Sequence, residues 1–177
     1  MFFIPGFLIS IATFPGVIVH EIAHQFFCRI SRVAVFDVCY FRFGNPAGYV
    51  IHELPRKPSQ HILIGIGPFF VNTILGALIA LPAAIPVIKF DVGAPLDYLL
   101  IWLGVSIAMH SFPSTADAQG IWAAVKSKET SIPTKVLAAP IVGIIYLCAV
   151  GSVFWLDLIY GIAVAMFIPN VLIRMLA

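Results

Sequence analysis

Phe14-Pro15-Gly16-Val17-Ile18-Val19-His20-Glu21-Ile22-Ala23-His24-Gln25-Phe26-Phe27 is the stretch on which both the fold and the chemistry of this chain turn. It closes an apolar run that begins at Phe2, long enough as a helix to cross a hydrocarbon core of about 30 Å. Within it, His20, Glu21 and His24 occupy five consecutive positions. An ionisable residue inside such a segment costs about 2.5–3.5 kcal/mol on insertion scales and is by default a functional-site hypothesis. Three of them so close together need a common partner.

The rest of the chain has the composition of a membrane protein. Of 177 residues, 61% are hydrophobic and 10% charged, against roughly 45–50% and about 25% in soluble domains. Mean hydropathy is +1.04, with 13 Gly and 13 Pro, two residues tolerated inside membrane helices. These values exclude a soluble globular fold, a disordered tail, a coiled coil and a nucleic-acid binder, so the bilayer is the expected surrounding and nucleic acid is not an expected partner. Cys28, Cys39 and Cys148 are odd in number and lack CxxC spacing, which indicates neither a disulfide framework nor a Cys-based zinc site. Residues 2–18 have no basic flank and no small-residue cleavage site, and read as a mature span and not as a signal peptide.

Runs of spanning length number five: about 2–27, 61–88, 96–112, 136–156 and 158–173, within a single domain covering 1–177. The last two divide one long tail near Trp155-Leu156-Asp157, where an interfacial Trp meets a charge. Arg29, Arg32, Arg42, Arg56, Lys57, Lys126, Lys128, Lys135 and Arg174 fall in the first loop, the third loop and the C-terminus, leaving Lys89 alone on the other side. By the positive-inside rule the first and third loops are expected in the cytoplasm and the N-terminus outside.

The first loop carries a β-prone run, Val33, Val35, Val38, Tyr40, Phe41 and Phe43, then Gly44-Asn45-Pro46-Ala47-Gly48 and Tyr49-Val50-Ile51. That order predicts a β-hairpin, either as a cap over helix ends or as an edge that pairs with an extended peptide.

His20-Glu21-Ile22-Ala23-His24 is an HExxH string. On a helix, positions i and i+4 share a face, so both imidazoles can close on one ion while the Glu points beside it. His20 and His24 are therefore expected as zinc ligands, with Glu21 as the general base that takes a proton from water and returns it to the leaving amine. With five His in the chain, chance placement would produce the string on the order of 0.002 times, so it is read as chemistry.

A catalytic zinc usually takes three protein ligands. Candidates for the third are His52, Glu53, His61, His110, Asp117 and Glu129, all near the expected cytoplasmic face. Asp117 follows His110-Ser111-Phe112-Pro113, where Pro113 breaks the helix and lets the chain fold back beneath the bundle. Its competing role is an N-cap for the segment 118–126. Asn72 reads either as an interhelical hydrogen-bonding amide or as a group facing a substrate carbonyl. His110 reads as a partner of a ligand, a transition-state donor or an interfacial histidine.

These residues resemble the site-2 protease family of intramembrane zinc metalloproteases. The resemblance covers about residues 14–120 and rests on HExxH in an early span, Gly67-Pro68 with Asn72 in the next, and the Pro-containing turn that leads to Asp117. It implies His20, His24 and Asp117 as ligands, Glu21 as the base, a zinc ion as cofactor and membrane-spanning proteins as substrates. The chain departs from the family in having three residues between Pro68 and Asn72, His110 where the family has Asn, and Ala118 after Asp117.

The expectation is thus an all-α polytopic membrane bundle of about five transmembrane helices with a small cytoplasmic β-hairpin. It is expected to act as a zinc-dependent intramembrane endopeptidase with its active site toward the cytoplasm. The alternative is a catalytically silent relative that binds transmembrane segments or metal without cleaving.

Overall fold

The computed structural model describes residues 6–128 and 130–176; residues 2–5 of the first expected span, and the candidate ligand Glu129, lie outside the described residues. The chain is mainly helical, with one two-stranded antiparallel sheet.

Helix α1 (Gly6–Ala12) and helix α2 (Phe14–Ile30) meet at 89°. Pro15, at the start of α2, has no N–H to donate and its ring is incompatible with a straight helix through this point. The sequence predicts one span over 2–27, interrupted at Pro5 and Pro15; the described part of it turns a corner at Thr13. Backbone groups freed by the corner find partners on two other helices, α3 (Pro58–Ala84) and α4 (Pro95–Met109). Trp102 Nε1 donates to the Ala12 carbonyl (3.2 Å) and Ser106 Oγ to the Thr13 carbonyl (2.9 Å), while Ser106 Oγ accepts from Gly16 N (3.2 Å). Side chains of neighbouring helices thus satisfy the broken ladder.

Gly16 makes the α2–α4 approach possible: a Cβ there would lie 2.0 Å from the Ser106 carbonyl oxygen. The same device joins α3 to α4, where Gly76 and Gly104 bring the backbones together beside Ala80 and Ala108. Small residues at such crossings let helices pack backbone to backbone.

Helix α3 runs on through a π-helical segment, Ile85–Lys89, to make a continuous helix of 32 residues. It alone among the described helices is long and apolar enough to cross a membrane, with the bent α1–α2 pair as a second if both arms count as one span. Helix α4, Ile132–Cys148 and Leu156–Leu172 are apolar but shorter.

After α4 the chain turns at Pro113 into α5 (Thr115–Lys126), and α6 (Ile132–Gly151) follows. Ile121 and Val125 of α5 pack against Ala138, Val142 and Ile145 of α6. Trp155, with φ 63°, separates α6 and its terminal 3-10 turn from α7 (Leu156–Ile162), which continues through a π segment into α8 (Ile168–Leu176). The helix break falls where the sequence placed the division of the tail.

Strands β1 (Val35–Cys39) and β2 (Tyr49–His52) pair antiparallel, with Val38 opposite Val50, Cys39 opposite Tyr49 and a bulge between Val35 and Asp37. The β-prone run was expected to extend to Phe43, but the strand ends at Cys39 and the connection occupies residues 40–48. That connection folds over α2, and Tyr40 OH donates to Gln25 Oε1 at 2.7 Å. Val33, Val35 and Val50 pack with Phe27, Cys28 and Ile64, which seats the hairpin on α2 and α3.

Candidate metal centre

The last turns of α2 place His20 and His24 on one face, and the start of α5 brings Asp117 to meet them. One ligand atom from each of the three lies within 4.8 Å of the others. His24 Nε2 is 3.1 Å from His20 Nε2 and 3.5 Å from Asp117 Oδ1. Ligands bound at about 2.1 Å around a tetrahedral ion stand about 3.4 Å apart, so the spacing suits one small cation.

Hydrogen bonding fixes the ring tautomers. A carbonyl only accepts, so His20 donates through Nδ1 to the His110 carbonyl (2.7 Å) and His24 through Nδ1 to the Ile64 carbonyl (3.0 Å). In the neutral rings both Nε2 atoms then carry lone pairs, and these face one another and the Asp117 carboxylate. Three acceptors turned on one point repel unless positive charge lies among them. Nδ1–carbonyl bonds of this kind are the outer contacts that orient metal-binding imidazoles. The donor set therefore fits a metal ion.

Asp117 divides its two oxygens between structure and site. Oδ2 accepts from Ser114 N (2.8 Å) and Ser114 Oγ (2.6 Å), while Oδ1 faces His24. The sequence offered Asp117 as an N-cap; the cap is Ser114, and Asp117 is the third helical residue of a capping box. Burial pushes its carboxyl up, but His24, His20 and Ser114 more than offset this and hold it below the usual carboxylate range. It stays an anion beside the two imidazoles.

Glu21 is buried, at 8% exposure, and among the described residues its carboxylate has no hydrogen-bond partner. Gly48, from the hairpin connection, lies directly against it: a Cβ at 48 would be 2.7 Å from Glu21 Cγ. His20, Glu21, His24, Gly48, His110 and Asp117 line one cavity of about 370 Å³. A second cavity of about 290 Å³, lined by His61, Gly65 and Gly120, shares His52 and Asp117 with the first.

Two of the remaining candidates, His52 and His61, have backbone partners. His52 Nδ1 donates to the Glu53 carbonyl and His61 Nε2 to the Pro55 carbonyl. None of His52, Glu53, His61 or His110 joins the three-residue group among the described residues. Asn72 is fully buried, and its Nδ2 faces the carbonyls of Gly16 (3.3 Å), Ile107 (3.2 Å) and His110 (3.0 Å). Of its two readings the interhelical one matches this geometry, because the amide hydrogens are already engaged by backbone. Its contact with the site is indirect, through the His110 carbonyl that also holds His20. The sequence reading missed Ser106 and Gly48. A lone Ser in an apolar helix was the only local signal for Ser106, and Gly48 meets Glu21 only in three dimensions.

No protein-family model, curated protein or solved structure matches this chain.

Proposed function

We propose that this chain is a zinc-dependent endopeptidase that hydrolyses a peptide bond in membrane-embedded proteins, as its resemblance to the site-2 protease family implies. The observation that carries the reading is the convergence of His20 Nε2, His24 Nε2 and Asp117 Oδ1, with the unpartnered Glu21 carboxylate in the same cavity. Two imidazoles and a carboxylate form a three-ligand set of the kind that leaves a position open for chemistry in catalytic zinc sites.

When bound, zinc supplies a Lewis acid that makes water nucleophilic near neutral pH and polarises a carbonyl. Glu21 takes the proton from the attacking water and delivers it to the leaving amine. His20 and His24 are held in the ligating tautomer by the carbonyls of His110 and Ile64. The hairpin connection covers Glu21 and limits bulk water around it. The substrate segment must be locally unwound, because a helix keeps its carbonyls in its own ladder.

A bilayer setting is supported by the apolar surface of the helices. Phe70, Ile74 and Leu78 of α3 are 53%, 56% and 57% exposed, and Ile144 and Leu147 of α6 are 59% and 69% exposed. Apolar faces of this extent belong against lipid or another protein and not in water. We read the chain as a multi-pass bundle of about five spans, with the shorter helices accommodated by local thinning, and with the metal centre toward the cytoplasm.

The decisive test is Glu21→Gln in protein purified in detergent. About one zinc per chain, retained in the variant, with cleavage of a co-expressed single-span protein abolished, is the expected result. Undiminished cleavage overturns the mechanism. A metal-free wild type, or a zinc-loaded one that cleaves nothing across a panel of single-span proteins, favours the silent relative.

A further inference from the structure

A further cavity, of about 270 Å³, lies between α3, α6 and the turn that follows α4. Helix α3 supplies Ile66 and Phe69, the turn Phe112 and Pro113, and α6 Ile144 and Cys148. Every residue that lines it is apolar, the free Cys148 thiol counting as a small hydrophobe.

The turn joins this cavity to the metal centre. Phe112 lines both, and Ser114, two residues on, lines the cavity that holds His20, Glu21, His24 and Asp117. The shared wall is held in place. The Phe112 ring centroid stands 4.7 Å from that of Tyr160 and 6.2 Å from that of Phe69. Thr73 Oγ1 donates to Ser111 Oγ (3.2 Å), so toward Tyr160 OH (2.8 Å) it accepts. Ring packing and this hydroxyl chain fix Phe112 and leave the apolar space beside it preformed, as ligand pockets usually are.

A cavity of roughly 150 Å³ lined by Leu, Ile and Phe takes a benzene molecule, so this one has room for the side chain of Leu, Met or Phe. An extended peptide advances about 3.3 Å per residue. A segment whose scissile bond lies at the metal centre therefore brings a nearby side chain to the wall the two cavities share.

We infer that this cavity is the pocket for one large apolar side chain of the substrate, close to the bond that is cut, and that Cys148 and Ile144 set the size it accepts. This rests on the endopeptidase reading above. A lipid tail could fill the same space, but it would have no reason to meet the metal centre, and the shared Phe112 favours the substrate.

The test reads specificity from a substrate of mixed sequence. Zinc-loaded protein in detergent digests casein, an unfolded chain, and the cut bonds are mapped by mass spectrometry. Leu, Met or Phe is expected at one fixed position within about three residues of the cut, favoured over Ala by about tenfold or more, the scale on which an apolar pocket discriminates by size. Cys148→Phe fills the pocket and should lower that ratio about tenfold. Ile144→Ala removes bulk at a position 59% exposed, so it leaves no closed void, and should shift the preference toward Phe and Trp over Leu. Zinc stays at about one per chain in both. Each variant is judged alone, so a Cys148→Phe that does not fold leaves Ile144→Ala to decide.

Binding without cleavage gives a second readout. A dye-labelled peptide spanning the strongest casein cut should bind Glu21→Gln about tenfold more tightly than its counterpart with Ala at the fixed position. Adding Cys148→Phe should erase the difference, which is the coupling expected of groups in contact. A wild type that cuts casein with no size preference, or a preference that survives both substitutions, overturns this inference alone and gives the cavity to a lipid tail. A wild type that cuts neither casein nor single-span proteins overturns the endopeptidase reading and this inference with it.

Discussion

His20 and His24 face each other Nε2 to Nε2 at 3.1 Å, each with its Nδ1 committed to a backbone carbonyl. Neither ring can turn a proton into the gap without giving up a bond on its far side or becoming charged. The pair is therefore set for a cation, and Asp117 Oδ1 supplies the negative charge that such an ion requires.

Removing the ligands should remove the metal in a graded order. Elemental analysis of His20→Ala plus His24→Ala should show zinc absent, and Asp117→Ala should lower zinc affinity by at least an order of magnitude. His52→Ala should leave occupancy unchanged, because its Nδ1 serves the Glu53 carbonyl and it stands outside the three-residue group. A greater loss in His52→Ala than in Asp117→Ala would displace Asp117 as the proposed third ligand.

Gly48 offers a way to disturb Glu21, the proposed base, without touching the three candidate metal ligands. Its Cα lies so close to Glu21 that a side chain must displace either the carboxylate or the hairpin connection. Gly48→Val should keep about one zinc per chain and lose on the order of 100-fold in kcat/KM, since a displacement of about 1 Å at a reacting group has that effect. Zinc content and initial rates on the same preparation check both halves. Full activity in this variant would mean that Glu21 has room to shift without consequence.

How far the sequence reaches into this molecule depends on whether the relevant contact is local. HExxH is legible because its geometry is internal to one helix turn, and Asp117 because Pro113 forces a turn just before it. The hairpin is legible from alternating β-branched and aromatic residues, although its long connection was not, since residues 40–43 leave the ladder to reach Gln25 and cover α2. The corner at Thr13 was hidden. Pro15 signalled a disturbance, but an 89° bend becomes stable only because Trp102, Ser106 and Asn72 arrive from distant parts of the chain to satisfy Ala12, Thr13 and Gly16. The split duty of Asp117 and the partnership of Gly48 with Glu21 are likewise products of packing.

Gly16 should tolerate no side chain. A methyl there meets the Ser106 carbonyl oxygen and the His110 ring, neither of which is a free end able to swing aside. Gly16→Ala must push α2 away from α4, and overpacking of this kind costs about 1–3 kcal/mol or more. A thermal shift of several degrees downward in detergent is expected, together with weakened zinc binding because His20 is carried on the displaced helix. Gly120→Ala is the control, since nothing lies within 4 Å of a Cβ at that position.

Asn72 tests whether the carbonyl that holds His20 must itself be held. Three backbone carbonyls, from Gly16, Ile107 and His110, surround its Nδ2, and its Oδ1 has no partner among the described residues. Asn72→Asp keeps the shape and removes both donors, leaving acceptors facing acceptors in a buried site. The cost of an unsatisfied buried polar group is about 1–3 kcal/mol, and more if the carboxylate is charged. Asn72→Leu removes the donors without adding an acceptor and should be the milder change. Because the His110 carbonyl also receives His20 Nδ1, both variants should weaken zinc binding by roughly 10–100-fold, the range seen when an outer partner of a ligating histidine is lost. Thermal denaturation should rank wild type above Leu and Leu above Asp, and competition with a chelator should show the loss of zinc affinity. Unchanged zinc affinity in Asn72→Leu would mean that the turn after α4 holds His110 in place without help from α3.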